Sequence, residues 1–263
     1  VGLKRLATLM GGTGEAKIDH QKQKMLFALL GALLLKSSSA SSLIYYTPGR
    51  AHNISFDQRS PRINGAPTLL LSGAVHYTRV HEGEWERVFD PAIELGLNTI
   101  QTYVFWNAHE TYASLVGNAS CAARAALQQF IAAAAARGLW VAVRIGPYIC
   151  GEYYFGGIPG WMRESGAECV RCNDPVWERE MERWVKLVVQ KIEPQIAPKG
   201  NVLMLQIENE FGGPAGSKGG DYPPGSDEAK YLEWAVDMAR NTTTAVPWLL
   251  CHDVDQRTYI NHG

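Results

Sequence analysis

The sequence predicts an α/β fold of the (β/α)8 TIM-barrel type, with about five of the eight βα units present in this chain. Three observations carry that expectation. From Thr68 onward, apolar runs alternate with helical stretches, the rhythm of βα units around a parallel sheet. Polar residues gather just after each run: His76-Tyr77, Asn107 with His109-Glu110, Tyr148 to Glu152, Asn209-Glu210 and His252-Asp253. In a closed barrel, those strand ends form one ring. Finally, no Gly-x-Gly-x-x-Gly turn follows the first run, as a doubly wound dinucleotide-binding sheet would need.

The expected strands are Leu69–Tyr77, Thr99–Trp106, Trp140–Pro147, Val202–Asn209 and Trp248–His252. The expected helices run from about Glu84 to Leu95, Ala122 to Arg137, Pro175 to Ile192 and Asp227 to Asn241. Gly96 and Gly138 stand where helix ends turn left-handed before the next strand. The Ala132–Ala136 run reads as plain helix, because alanine has the best helix propensity. Before this series, Phe56 and the turn Arg62-Ile63-Asn64-Gly65 suggest an entry hairpin.

The chain has 263 residues, 46% of them hydrophobic, about the size of one α/β barrel. Lys plus Arg is 25 and Asp plus Glu is 26, so no basic surplus points to nucleic acid. Residues 1–24 show no hydrophobic period and read as an upstream, unstructured stretch. Lys22-Gln23-Lys24, the apolar run Met25–Leu35 and the small residues Ser37 to Ser42 read as a secretory signal peptide, 25–42. The apolar run is shorter than the roughly 20 residues of a membrane span. Residues 43–263 are then the mature chain, with no membrane attachment after cleavage and an extracellular, cell-wall, vacuolar or lysosomal destination. Three glycosylation triplets agree with secretion: Asn53-Ile54-Ser55, Asn118-Ala119-Ser120 and Asn241-Thr242-Thr243. Of five cysteines, Cys169 and Cys172 have redox or metal spacing, but no second pair or nearby histidine completes a zinc site. A disulfide or inert thiols are the favoured reading. The sequence implies neither metal nor organic cofactor.

The chemistry concentrates in Val202 to Gly212. Read with period two, Leu203, Leu205 and Ile207 share one face, and Gln206, Glu208 and Glu210 the other. An ordinary core strand does not bury such a row, since each unpaired polar group costs about 1–3 kcal/mol. Two carboxylates across a sugar bond can hydrolyse it, one as general acid and one as nucleophile or base. Glu210 is the candidate acid, crowded by Glu208, and Asn209 the candidate hydrogen-bond donor to a sugar hydroxyl.

Gln206-Ile207-Glu208-Asn209-Glu210-Phe211-Gly212 resembles the active-site motif of the glycoside hydrolase family 35 β-galactosidases. Gly73 to Arg79, Gly96 to Glu110, Arg144 to Glu152 and Gly156 to Trp161 agree in order, and Val246 to Cys251 is similar to the plant-type branch. The resemblance implies a retaining enzyme acting on terminal β-D-galactose of oligo- or polysaccharides. It implies Glu210 as proton donor, with Tyr103, Ile149, Cys150, Gly151, Glu152 and Asn209 lining the galactose pocket. An ion pair of Glu152 with Arg144 or Arg163 is the structural alternative, and His76, His109 and Trp106 could be shell residues or sugar contacts. Departures are Lys199-Gly200-Asn201 in place of Gly-Gly-Pro, Gly151 where alanine is usual and Tyr153 where tryptophan is usual. The family's nucleophile is a glutamate on the seventh strand; no glutamate in this sequence matches it. The expected function is therefore β-galactosidase, with an inactive glycan-binding piece or a related hydrolase of different sugar preference as alternatives.

Overall fold

The computed structural model describes residues 43–111, 122–211 and 222–252. The upstream stretch, the predicted leader and the Asn118 triplet lie outside the described residues.

A three-stranded antiparallel meander comes first: β1 (Ile54–Phe56), β2 (Pro61–Ile63) and β3 (Ala66–Pro67). The turn between β2 and β3 is Asn64-Gly65, both left-handed with φ of 53° and 80°. That is the Asn-Gly signature of a tight hairpin, as expected.

The main sheet has five parallel strands in the order β4-β5-β6-β7-β8. They are β4 (Ser72–Ala74), β5 (Thr99–Tyr103), β6 (Trp140–Gly146), β7 (Val202–Phe211) and β8 (Trp248–His252). Sequential order separates a barrel wall from a doubly wound sheet, whose strand order reverses at a switch point. The helices between strands are α1 (Trp85–Glu94), the single turn α2 (Trp106–His109), α3 (Ala122–Ala136), α4 (Pro175–Ile192) and α5 (Asp227–Thr242). The sheet is five units of a (β/α)8 wall.

Four strands differ in their bounds from the sequence reading: β6 stops one residue early at Gly146, β7 runs two further to Phe211, and the first two strands shorten more. The first strand shrinks to Ser72–Ala74, because β4 pairs with β5 alone among the described strands. The second ends at Tyr103, and Trp106 opens a helical turn.

The core lies between sheet and helices. Strand residues Ile100, Val141, Val143, Leu203, Leu205 and Ile207 belong to it. Helix α4 meets it with Trp177, Met181, Trp184, Val185, Val188, Val189 and Ile192, spaced three or four apart as one helical stripe. Its start is fixed by Asp174, whose Oδ1 accepts from the backbone N–H of Val176 and Trp177 at 2.9 and 2.8 Å.

The opposite face of the sheet carries a different layer. Tyr103, Arg144 and Gln206 are in register across β5, β6 and β7. None is apolar, and they form the base of the ring at the strand ends.

Candidate active site

Arg144 organises this layer. Its guanidinium lies 3.9 Å from the centroid of the Tyr103 ring, whose own stacking partner His76 is at 4.1 Å. His76 Nδ1 accepts the backbone N–H of Tyr103 at 3.4 Å. Burial, aided by the positive charges of Arg79 and Arg144, pushes the His76 imidazole down to about 4, so the ring is neutral at ordinary pH.

A chain of hydrogen bonds then sets the orientation of Asn209. Arginine can only donate. Arg144 Nε donates to Gln206 Oε1 at 3.1 Å, so the other end of that amide must be the NH2. Gln206 Nε2 donates to the Glu208 carbonyl at 3.0 Å and to Asn209 Oδ1 at 3.4 Å. Asn209 therefore presents its own Nδ2 outward from the network. The residue is 1% exposed, and Nδ2 is buried without a partner. A buried donor left unpaired costs about 1–3 kcal/mol, which a ligand oxygen would recover.

Beyond Ile207 the strand leaves regular geometry. Glu208 and Glu210 take φ of 55° and 49°. Period-two alternation predicts Gln206, Glu208 and Glu210 on one face, and the structure corrects this. Glu208 turns its fully buried carboxylate onto Tyr231 of α5 and Arg171. Its charge is engaged there by the Arg171 guanidinium. Glu210 is exposed at the mouth.

The loop after β6 forms the adjoining wall. Cys150, Gly151 and Glu152 are left-handed in succession, with φ of 57°, 60° and 48°. Non-glycine residues enter this region sparingly, and such outliers cluster at functional sites. Among the described residues seven non-glycines have positive φ, and all but Asn64 lie in β7 or in this loop. A Cβ on Gly151 would sit 3.2 Å from Tyr103 Cδ2, so glycine suits the place where the family carries alanine.

Tyr103 is half-buried between two stacking partners. Glu152 is exposed, and the alternative ion pair is absent among the described residues: Arg144 serves Gln206 and the Ile149 carbonyl, and Arg163 lies over Phe155. Ile149 is fully buried, with its carbonyl accepting from Arg144 at 3.1 Å. Cys150 is partly exposed, and Gly151 lends its carbonyl to Arg79. Tyr148 hydrogen-bonds Cys150; burial first, then that bond, pushes its hydroxyl up, and the negative charge of Glu210 adds to the rise. Trp106 stacks on Trp184 at 5.4 Å and donates to Glu110, so it is core, as is His109 beside Tyr77.

Sequence reasoning missed Arg171, and it placed Tyr148 at the strand ends without giving it a role. Cys169 and Cys172 form a disulfide, one of the readings left open. Arg171 inside that ring stacks 3.8 Å from the Tyr148 centroid and grips Glu208. An arginine between two cysteines, with an unexplained glutamate elsewhere, was the available signal.

The described strands form a parallel barrel wall with a buried asparagine and an exposed glutamate at the end of one of them. The fold is shared with a solved structure: a GH5_18 structure from Streptomyces cattleya in complex with GlcNAc superposes with a TM-score of 0.51 at 16% identity, covering 70% of this chain and 44% of that one. The family model of Glycosyl hydrolases family 35 matches residues 62–262, and the chain belongs to that family. It is 40% identical over 203 residues to Beta-galactosidase 12 of Oryza sativa subsp. japonica, covering 75% of this chain and 21% of the relative. Against Beta-galactosidase 6 of the same plant it is 34% identical over 230 residues, covering 86% of this chain and 26% of the relative. The chain thus spans about a fifth to a quarter of the length of these relatives.

Proposed function

We propose that this chain supplies the acid/base half of a retaining β-galactosidase that removes terminal β-D-galactose from oligo- or polysaccharides. Glu210 donates the proton to the departing oxygen and later takes one from water. Asn209 donates Nδ2–H to the hydroxyl beside the reacting carbon, a contact that strengthens as charge develops. Tyr103 offers a ring edge and hydroxyl. Glu152 accepts from sugar hydroxyls through a charge-assisted bond. Cys150, Gly151 and, through the wall, Ile149 shape the pocket. The second carboxylate is the glutamate that the family places on its seventh strand, outside this sequence.

The observation that carries the reading is the buried, unpartnered Nδ2 of Asn209 directly before an exposed glutamate at a strand end. The names of the rice relatives point to galactose. The test is release of galactose, glucose or N-acetylglucosamine from matched aryl β-glycosides by the chain extended through all eight barrel strands. Galactose release tenfold or more above the others is expected. Preference for another sugar moves the activity within the clan, and binding without release leaves a glycan-binding module.

The proposal includes the secretory route. Its supports are the Met25–Ser42 leader pattern, the Cys169–Cys172 disulfide and exposed triplet asparagines at Asn53 and Asn241. Secretion from a eukaryotic host with a glycosidase-sensitive mass shift is expected; retention without a shift refutes it.

A further inference from the structure

We propose that Arg171 is a positioning residue for Glu210 and Asn209, and that the Cys169–Cys172 disulfide is the brace that holds it in place. The inference rests on the acid/base reading of Glu210 and adds a group that does not touch substrate.

The sheet has a break in its pairing at the end of β7. β6 pairs with β7 no further than Gly146 opposite Ile207. β8 pairs at Leu250 opposite Ile207 and next at His252 opposite Phe211, with a register break between. Residues 208–210 therefore carry the site chemistry where, among the described strands, neither neighbour supplies them a register partner. Free peptide groups there would let the backbone of the acid wander, and general acid catalysis needs the proton within hydrogen-bond reach.

Arg171 fills that gap. Its NH2 donates to the Asn209 carbonyl at 2.7 Å and to Glu208 Oε2 at 2.9 Å, and its Nε donates to the same oxygen at 3.1 Å. Glu208 Oε2 in turn accepts the Asn209 N–H at 3.0 Å. Both backbone groups of Asn209 are thus held by one buried ion pair instead of by a neighbouring strand. The guanidinium is sandwiched by Tyr148 at 3.8 Å and Phe211 at 5.4 Å, so it has one place to sit. Lysine could match the charge but not this planar fork.

What keeps Arg171 there is its own backbone. Its φ is 58°, a conformation an unbranched L-residue adopts only under constraint. The constraint is at hand: Cys169 and Cys172, three apart, close a ring around it. Asp174, two residues on, accepts the Glu168 N–H at 3.2 Å and caps α4, tying both ends of the ring to a rigid helix.

The experiment uses the chain extended through all eight strands, with Arg171→Lys, Cys169→Ser/Cys172→Ser and the wild type before and after reduction. Reduction by a dithiol delivers two electrons and two protons to the S–S bond, giving two thiols and the oxidised dithiol. Two readouts separate this inference from the proposed function. The first is kcat/KM on an aryl galactoside with a strongly acidic leaving group and on an alkyl galactoside that must be protonated to leave. Arg171→Lys should lower the alkyl value about 10–100-fold, within the range general acid catalysis supplies, and the aryl value less than about threefold. Equal losses on both, or no loss, would overturn the positioning role. The second needs no turnover: amide hydrogen exchange at Asn209 should speed up about tenfold or more in both variants and on reduction, with Val141 to Ile145 unchanged as an internal check on folding. Unchanged exchange at Asn209 sinks the brace even in an active enzyme. Faster exchange in a protein that hydrolyses no galactoside leaves the brace standing and removes the proposed function.

Discussion

Three buried asparagines sit at strand ends, two at the bottom of the sheet and one at the top, and they are treated differently. At the bottom, Asn98 Oδ1 accepts from the Leu71 N–H at 2.9 Å and from Thr99, while its Nδ2 donates to the carbonyls of Ile44 and Leu69 at 3.2 and 2.9 Å. Asn201 Nδ2 donates to the carbonyls of Ile131 and Leu139 at 3.1 and 3.0 Å. Both act as struts between loops. At the top, Asn209 is equally buried, but its Nδ2 has no partner. The same residue type closes the fold at one end and leaves a valence open at the other. Barrels of this type keep stability at the bottom face and chemistry at the top, and here the division is visible atom by atom.

The largest break in that comparison is expected at Glu210. Glu210→Gln in the extended enzyme should lower kcat/KM on an alkyl galactoside by about 10²–10⁴-fold, the usual contribution of a general acid. Because the side chain is exposed, the melting temperature should hardly move. A variant with wild-type turnover of the poor leaving group would exclude Glu210 as the acid.

Two residues earlier the balance inverts. Glu208 is fully buried, and its partners are Arg171, Tyr231 and a backbone N–H. The Glu208 charge holds Arg171 in its ionised form against the burial that would push the guanidinium down. Glu208→Ala leaves that cation buried, and breaking such a pair destabilises by about 3–5 kcal/mol. Urea titration checks this. A loss below about 1 kcal/mol, no more than an exposed pair contributes, would mean that solvent already reaches the pair.

The asparagines sharpen the contrast most directly. Asn98→Ala orphans groups on three segments and should cost about 1–3 kcal/mol for each that water cannot reach. Asn209→Ala removes an Nδ2 that lacks a partner and an Oδ1 whose contact with Gln206 Nε2 is long, at 3.4 Å. It leaves that Nε2 its Glu208 carbonyl, so stability should change by less than about 1 kcal/mol. Its kcat/KM should nevertheless fall about tenfold, the equivalent of one hydrogen bond of about 1.4 kcal/mol. If Asn209→Ala proves the more destabilising of the two, the open valence is filled in the folded protein and the functional reading of that atom fails.

How much of this was legible beforehand follows from which interactions are local. The five strands and four main helices could be read because burial imposes its period on each segment. Helix α4 runs from Pro175 to Ile192, the span expected from the sequence. That Asn209 and Glu210 stand at the end of a strand was legible in the sequence. The direction of Glu208 was not, since alternation fails when φ turns positive, and nothing in Gln206-Ile207-Glu208 announces that turn. The role of Arg171 depends on a contact 37 positions away along the chain. Periodicity is silent about such pairs, and a charge flanked by two cysteines reads as a loop until the glutamate it meets is seen. The exposed state of Glu152 and the buried state of Ile149, three positions apart in the same motif, likewise emerge only from the left-handed turn that separates them.

The smallest expected effect concerns the neutral ring under Tyr103. His76 in the folded protein is held at about 4 by burial and two nearby arginines, against about 6.5 when unfolded. Between those values the unfolded chain binds a proton that the folded chain refuses. Stability therefore rises with pH across this window: the contribution is whole above about pH 6.5 and is lost as pH falls through about 4. The ring is half-buried, so solvent trims the size of the effect but not its sign. His76→Gln removes the titration while keeping an acceptor near the Tyr103 N–H. Denaturant midpoints at pH 7 and pH 4.5 should then differ less in the variant than in the wild type, and activity at pH 4.5 should persist, since a neutral His76 leaves the Tyr103 stack unchanged down to that pH. An identical pH slope in both proteins would show that His76 takes up its proton freely when folded, and that the arginines beside Tyr103 are screened from it.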